Sequence, residues 1–159
     1  MNKLNDEEYW MMRAAEVAKN ALCLKAKCGT VIVKGNEIIG EGYNAPPLDD
    51  ISNRTCLVVF KYPPKKNYDH TCCMHAEQRA ILNAMKKKPE KIIGSTLYFI
   101  RVDEHGNIKK SGKPYCTVCS RWALDSGIAY FALWHEDGIK LYSTKEYNEL
   151  SYHYNPKDK

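Results

Sequence analysis

Two short segments, distant in the chain, restrict the fold more than any other feature: His75-Ala76-Glu77 and Cys116-Thr117-Val118-Cys119. Each opens a stretch of helical spacing. A histidine and two cysteines at the Cys-x-x-Cys spacing are ligands for a borderline-soft cation such as zinc. A chain that uses them together must bring two helix N-termini to one point.

The rest of the pattern fits that demand. Residues 6–22 place Tyr9, Met12, Ala15, Val17 and Ala18 near the 3.6-residue period, with Asn5 or Asp6 as N-cap, and predict an amphipathic helix. Thr30-Val31-Ile32-Val33 and Glu37 to Tyr43, separated by Lys34-Gly35-Asn36, predict a β-hairpin. Residues 44–73 lose periodicity and gain prolines, with Cys56 to Phe60 as a short strand or apolar plug. A helix follows from His75 to Met85, closed by Lys86-Lys87-Lys88-Pro89, and then a strand from Ser95 to Ile100.

Asp103 to Tyr115 reads as a polar excursion, Cys116 to Asp125 as a helix stopped by Gly127, and Ala129 to Trp134 as a strand. A further short strand leads to the capping-box sequence Ser143-Thr144-Lys145-Glu146 and a final helix. This order of helices and strands predicts an α/β sandwich on a mixed sheet. No repeat or interior linker divides it, and 159 residues are about one domain's worth, so residues 1–159 are expected to form a single domain.

A formal charge of +5 with an ordinary apolar share excludes disordered and collagen-like classes. It decides little between neutral and anionic partners. The polar, acidic start, with no apolar h-region, and the lack of any uncharged run of about 18–20 apolar residues, predict a cytoplasmic protein with no membrane partner. Seven cysteines, an odd number, in a reducing compartment point to thiolate ligands rather than disulfides.

His75, Cys116 and Cys119 leave the fourth tetrahedral position open, which marks a catalytic rather than a structural zinc. Water in such a position ionises near neutral pH, helped by two helix dipoles. Glu77 is two residues past His75, about 200° around an ideal helix. The pair can face one site only if His75 lies at the helix start, outside helical geometry.

His-x-Glu followed by Pro and Cys-x-x-Cys is the signature of zinc deaminases acting on cytosine or adenine. Over roughly residues 7–135 the chain resembles the cytidine and deoxycytidylate deaminase superfamily, through the opening helix, the hairpin, Gly42-Tyr43-Asn44 and Leu97-Tyr98. Its motif order is closest to the deoxycytidylate (dCMP) deaminases: Gly42-Tyr43-Asn44, a Pro-containing loop with Cys56, then Cys73-Met74-His75-Ala76-Glu77. The resemblance implies a three-layer α/β/α sandwich around a mixed sheet of about five strands and a Zn2+ cofactor. It also implies hydrolysis of a cytosine nucleotide or nucleoside, dCMP to dUMP plus ammonia foremost, in a homo-oligomer.

By the same resemblance Glu77 moves the protons, Asn44 meets the sugar or its phosphate, and the backbone of Ala76 meets the base carbonyl. Tyr115 stands between Pro114 and Cys116 as an extra residue in the pocket. Arg79 replaces the family's usual Asn, and Ala45 and Leu48 stand where the family has glycines. Cys23, Cys56, His70, Cys72 and Cys73 could supply a second, structural zinc, as in some dCMP deaminases, or be small buried hydrophobes.

Two other readings stay open. Lys65-Lys66, Lys86-Lys87-Lys88 and Lys109-Lys110 could form a nucleic-acid path serving deamination of a base in RNA or single-stranded DNA, or a solvated face. A non-enzymatic, zinc-stabilised binding module would use the ligands without Glu77. Trp122 and Trp134 read as core, and His105 and His135 as surface residues.

Overall fold

The computed structural model describes residues 5–59, 61 and 71–156. Lys65, Lys66 and His70 lie outside them. Helix α1 (Asp6–Ala18) is capped by Asn5, whose Oδ1 accepts from the Glu8 N–H at 2.7 Å. It stops short of the expected residue 22 because the chain turns at Lys19 to let the Leu22 N–H reach the Asn44 carbonyl at 3.0 Å.

Strands β1 (Lys27–Lys34) and β2 (Glu37–Tyr43) form the expected hairpin, with Gly35 at φ +62° in the turn. Helix α2 (Ala76–Lys87) leads to β3 (Thr96–Val102), and the polar excursion contains a two-residue strand, β4 (Ile108–Lys109), that pairs with β3. Helix α3 (Thr117–Asp125), β5 (Tyr130–His135), β6 (Gly138–Ser143) and helix α4 (Thr144–Tyr152) complete the order. Ser143 caps α4 by accepting from the Glu146 N–H.

The six-stranded sheet runs β2-β1-β3-β5-β6, with β4 beside β3. Among the described residues only β3 and β5 pair in parallel, so the sheet is mixed. Alternation along the central strands sorts the core into two layers. Val31, Val33, Tyr98, Ile100, Val102 and Ala132 pack under α1. Ile32, Leu97, Phe131 and Leu133 pack on the opposite face with residues of α2, α3 and α4. This is the expected three-layer α/β/α sandwich.

Three local expectations are corrected. Cys56 to Val59, the described part of the expected Cys56–Phe60 segment, form no strand: Cys56 is buried in a turn while Leu57, Val58 and Val59 point to solvent. Trp122 is not core; it is 38 % exposed and lines a surface depression with Leu82, Met85 and Leu124. His135 is not a free surface residue, since its ring nitrogens meet the Ser111 carbonyl at 3.0 Å and the Tyr142 hydroxyl at 2.7 Å. Among the described residues no helix is long and apolar enough to cross a membrane.

Glycines set the spacing between layers. A Cβ at Gly42 would stand 2.5 Å from both the Ala76 carbonyl oxygen and the Ala80 nitrogen, and one at Gly40 2.5 Å from the Ala80 oxygen. Helix α2 therefore lies with its backbone against β2, and its first turn is fixed relative to the sheet. Overpacking such a contact costs about 1–3 kcal/mol or more. Gly42→Ala is expected to lower unfolding free energy by at least that amount, read as an earlier denaturant midpoint. An unchanged midpoint would mean that the helix is not held at this distance.

Candidate active site

His75 is the N-cap of α2, with extended backbone (φ −69°, ψ 148°), and its N–H is taken by the Gln78 side-chain oxygen at 3.1 Å. It stands outside helical geometry, as the His-x-Glu spacing requires. Cys116 is likewise the N-cap of α3, in extended conformation (φ −86°, ψ 96°), and Cys119 lies one turn into that helix. The two helix starts meet: His75 Nδ1 is 3.1 Å from Cys119 Sγ and 3.4 Å from Cys116 Sγ, and the two sulfurs are 3.3 Å apart.

Donor atoms around a tetrahedral zinc stand about 3.4–3.8 Å apart, given bonds of about 2.0–2.3 Å. The triangle is a few tenths tighter and needs little movement to accept the ion. Its electrostatics also ask for a cation. Hydrogen bonding from the Cys119 thiol, ahead of the pull of His75 and against burial, brings the Cys116 thiol down to about 4. Cys119 goes the other way, pushed well up by the Cys116 thiolate and by burial. The two sulfurs thus share one proton between them, and a bound divalent cation would release it. The Cys116 thiolate also raises the His75 imidazole.

Glu77, at the second position of α2, is 5 % exposed. Burial, and next the Cys116 thiolate, push its carboxyl above the usual range, against hydrogen bonds from its own backbone N–H and the Cys119 thiol. A carboxyl so placed can hold a proton closer to neutrality than a solvated one and exchange it with a bound molecule.

His75, Glu77 and Cys116 line a cavity of about 240 Å³ with Asn44, Ala76 and Tyr115, the other expected site residues, while Cys119 is fully buried behind them. Ala76 is fully buried, and its backbone N–H belongs to the first turn of α2, which has no intrahelical acceptor. Asn44 is largely committed to the fold: its Oδ1 accepts from the Cys28 N–H and its Nδ2 donates to the Ala26 carbonyl, both at 2.8 Å. One amide hydrogen remains for a ligand. Tyr115 is half exposed, its ring tilted against Tyr154 at 5.5 Å.

The cavity wall also contains Cys28, Met74, Phe99, Arg101 and Tyr147, which sequence reasoning did not single out. Tyr147 comes from α4 and stacks on Phe131 at 3.8 Å between ring centres. The capping box announced its helix but not which face would reach the site. Phe99 and Arg101 follow the strand alternation from Leu97, and that alternation was the available signal.

A second cluster brings Cys23, Cys56 and Cys73 together, their sulfurs all within 4.8 Å of one another. Cys72 Sγ is 3.6 Å from Cys56 and 3.5 Å from Cys73. Arg79 binds Asp49 at 3.0 Å and stacks on Tyr43 at 4.6 Å, and Tyr43 donates to Asp49 at 2.6 Å. These contacts hold Leu48 and Asp49 at φ +59°, a conformation that favours glycine, in a loop that has none.

Fold and site together define an α/β protein built around a His-Cys-Cys metal site at two helix N-termini. The model of the cytidine and deoxycytidylate deaminase zinc-binding region matches residues 4–133, and the chain belongs to that zinc-binding family. A deoxycytidylate deaminase of Mycobacterium phage D29 is 31% identical over 134 residues, covering 80% of this chain and 93% of that protein. The deoxycytidylate deaminase of Schizosaccharomyces pombe is 32% identical over 85 residues, 52% of this chain; the chain spans only 26% of that longer protein.

Among solved structures, the dCMP deaminase of cyanophage S-TIM5 shares the fold with a TM-score of 0.54 at 22% identity, over 82% of each chain. A cytidine deaminase from Burkholderia pseudomallei also has a TM-score of 0.54, at 13% identity, over 88% of this chain and 94% of that one.

Metal analysis tests the donor sets. Cys119→Ser is expected to remove one equivalent of zinc relative to the parent protein, by elemental analysis of dialysed samples. Unchanged zinc content would place the ion elsewhere.

Proposed function

We propose that residues 1–159 act as one zinc-dependent deaminase domain that hydrolyses the amino group of a cytosine nucleotide, with dCMP to dUMP plus ammonia as the specific reaction. Family membership and the 31% identical phage deoxycytidylate deaminase support the reaction class and substrate. The observation that carries the reading is the placement of Glu77, buried with a raised carboxyl beside the His-Cys-Cys triangle, in a cavity of about 240 Å³.

In this reading His75 Nδ1, Cys116 Sγ and Cys119 Sγ hold the zinc. Bound there, the ion supplies a water that is nucleophilic at neutral pH. The chain's own groups do the rest. Glu77 accepts the proton of the attacking water, delivers it to the ring nitrogen as the C4 carbon becomes tetrahedral, and moves the next proton to the departing amine. The Ala76 N–H, aligned with the positive end of α2, donates to the base carbonyl. Asn44 offers its remaining amide hydrogen to the sugar. Tyr115 and Tyr147 close the pocket and keep bulk water from it.

Cys23, Cys56 and Cys73, with Cys72 beside them, are assigned to a second zinc of structural type. Its thiols are of the right kind, and hydrogen bonds from Thr55 and the neighbouring thiols bring Cys72 down to about 7 in spite of burial. The long segment after Asn44 would then be tied to the end of α1 by metal rather than by regular structure.

A substrate panel scored by ammonia release tests the reaction. Zinc-loaded protein is expected to act on dCMP, and Glu77→Gln to lower the rate by at least about 100-fold with the His75 site still filled. Activity confined to single-stranded oligonucleotides, with binding that weakens steeply with salt, would replace the mononucleotide reading. No ammonia from any cytosine substrate would overturn both.

A further inference from the structure

Strand β3 alternates Tyr98, Ile100 and Val102 under α1 with Leu97 and Phe99 toward the other layer, and Arg101 continues the second series. A guanidinium therefore stands where the pattern calls for an apolar side chain. Arg101 lines the same cavity as His75, Glu77 and Cys116.

Its bonded partners are neutral. Arg101 Nη2 donates to the Tyr115 hydroxyl at 3.3 Å, and the guanidinium also meets the thiol of Cys28, which burial pushes up to about 11. Among the described residues no carboxylate oxygen comes within 4.0 Å of it. Arg101 is half-buried, and a cation taken partly out of water without an anionic partner is costly. The position makes sense if an anion arrives with the ligand.

The surroundings indicate from which side. A neighbouring cavity of about 340 Å³ shares Phe99, Arg101, Tyr115 and Tyr147 with the active cavity. It adds Lys109, Lys110 and Lys113, and among the described residues no carboxylate lines it. Lys110 is engaged over the Trp134 ring at 3.6 Å, which leaves Lys109 and Lys113 as exposed point charges near Arg101. The third cavity that Arg101 borders carries Asp103 and Glu104 among its lysines and offers no such single-sign field.

We propose that Arg101 is a specificity-determining residue whose guanidinium, backed by Lys109 and Lys113, holds the 5′-phosphate of the nucleotide whose base reaches Glu77. This rests on the deaminase reading above. An arginine fork matches two phosphate oxygens at once, and its hydrogen bonds to a charged acceptor are stronger than neutral ones. An unphosphorylated nucleoside fills the base end of the cavity but leaves the guanidinium unpaired, so the site discriminates against it.

Calorimetric titration of zinc-loaded Glu77→Gln protein, which binds without turnover, compares dCMP with deoxycytidine and AMP with adenosine. The expected result is dCMP bound about 10- to 100-fold more tightly than deoxycytidine. Adding Arg101→Gln should shrink that ratio to within about threefold, whereas Arg101→Lys keeps part of it. With Glu77 intact, the Arg101→Gln loss should appear in KM for dCMP more than in kcat.

A ratio near one in the parent protein overturns the proposal. So does a ratio that survives Arg101→Gln, or an equal weakening of dCMP and deoxycytidine, which would indicate a role in shaping the pocket. Failure of the deaminase reading looks different: no ammonia from any cytosine substrate, with a phosphate preference that is the same for adenine and cytosine ligands.

Discussion

Helix α2 lies so close to β2 that Gly40 and Gly42 have no room for a Cβ, and this contact decides where the chemistry can be. The helix has an alanine-rich inner face, with Ala76, Ala80 and Ala84 all fully buried, so backbone meets backbone with little side-chain freedom between them. Its first turn is thereby held against the sheet. His75 and Glu77 inherit that placement, one just before the helix and one just inside it. The cysteine pair reaches the same point because β3 and β5 run parallel and the connection between them ends in α3.

The electrostatics of the site follow from burying like charges at two helix starts. The positive ends of α2 and α3 favour negative charge there, but two thiols and a carboxyl exceed what two half-dipoles can balance. Without a metal the cluster keeps protons: Glu77 is raised, and Cys116 and Cys119 split one thiolate between them. The same burial that makes these groups poor anions alone makes them a strong site for a divalent cation and leaves Glu77 able to carry a proton. Arg101 adds the opposite charge a short way along the wall, where the cavity opens toward lysines.

Much of this was legible in the sequence because it is written in local terms. Asn5, one of two candidate caps, and Ser143 cap their helices, the period-2 runs became strands, and the His-x-Glu spacing implied a non-helical His75. What escaped depends on contacts between distant segments. Helix α1 ends early because Leu22 bonds to Asn44, and the polar excursion hides β4 because two residues suffice to pair with β3. Trp122 follows helical apolar spacing yet faces outward, since only packing decides which stripe of a short helix is covered. Arg101 and Tyr147 join the site through strand alternation and helix orientation, which no motif records.

The proposed chemistry requires one zinc on His75, Cys116 and Cys119 with its fourth position open to water, beside Glu77. Zinc-edge X-ray absorption on a Cys56→Ser variant, purified so that only the remaining site is filled, tests it directly. Two sulfurs, one imidazole nitrogen and one lighter atom are expected around the ion, with that last shell perturbed when a nucleotide binds. A shell of four protein ligands indifferent to added nucleotide would contradict it.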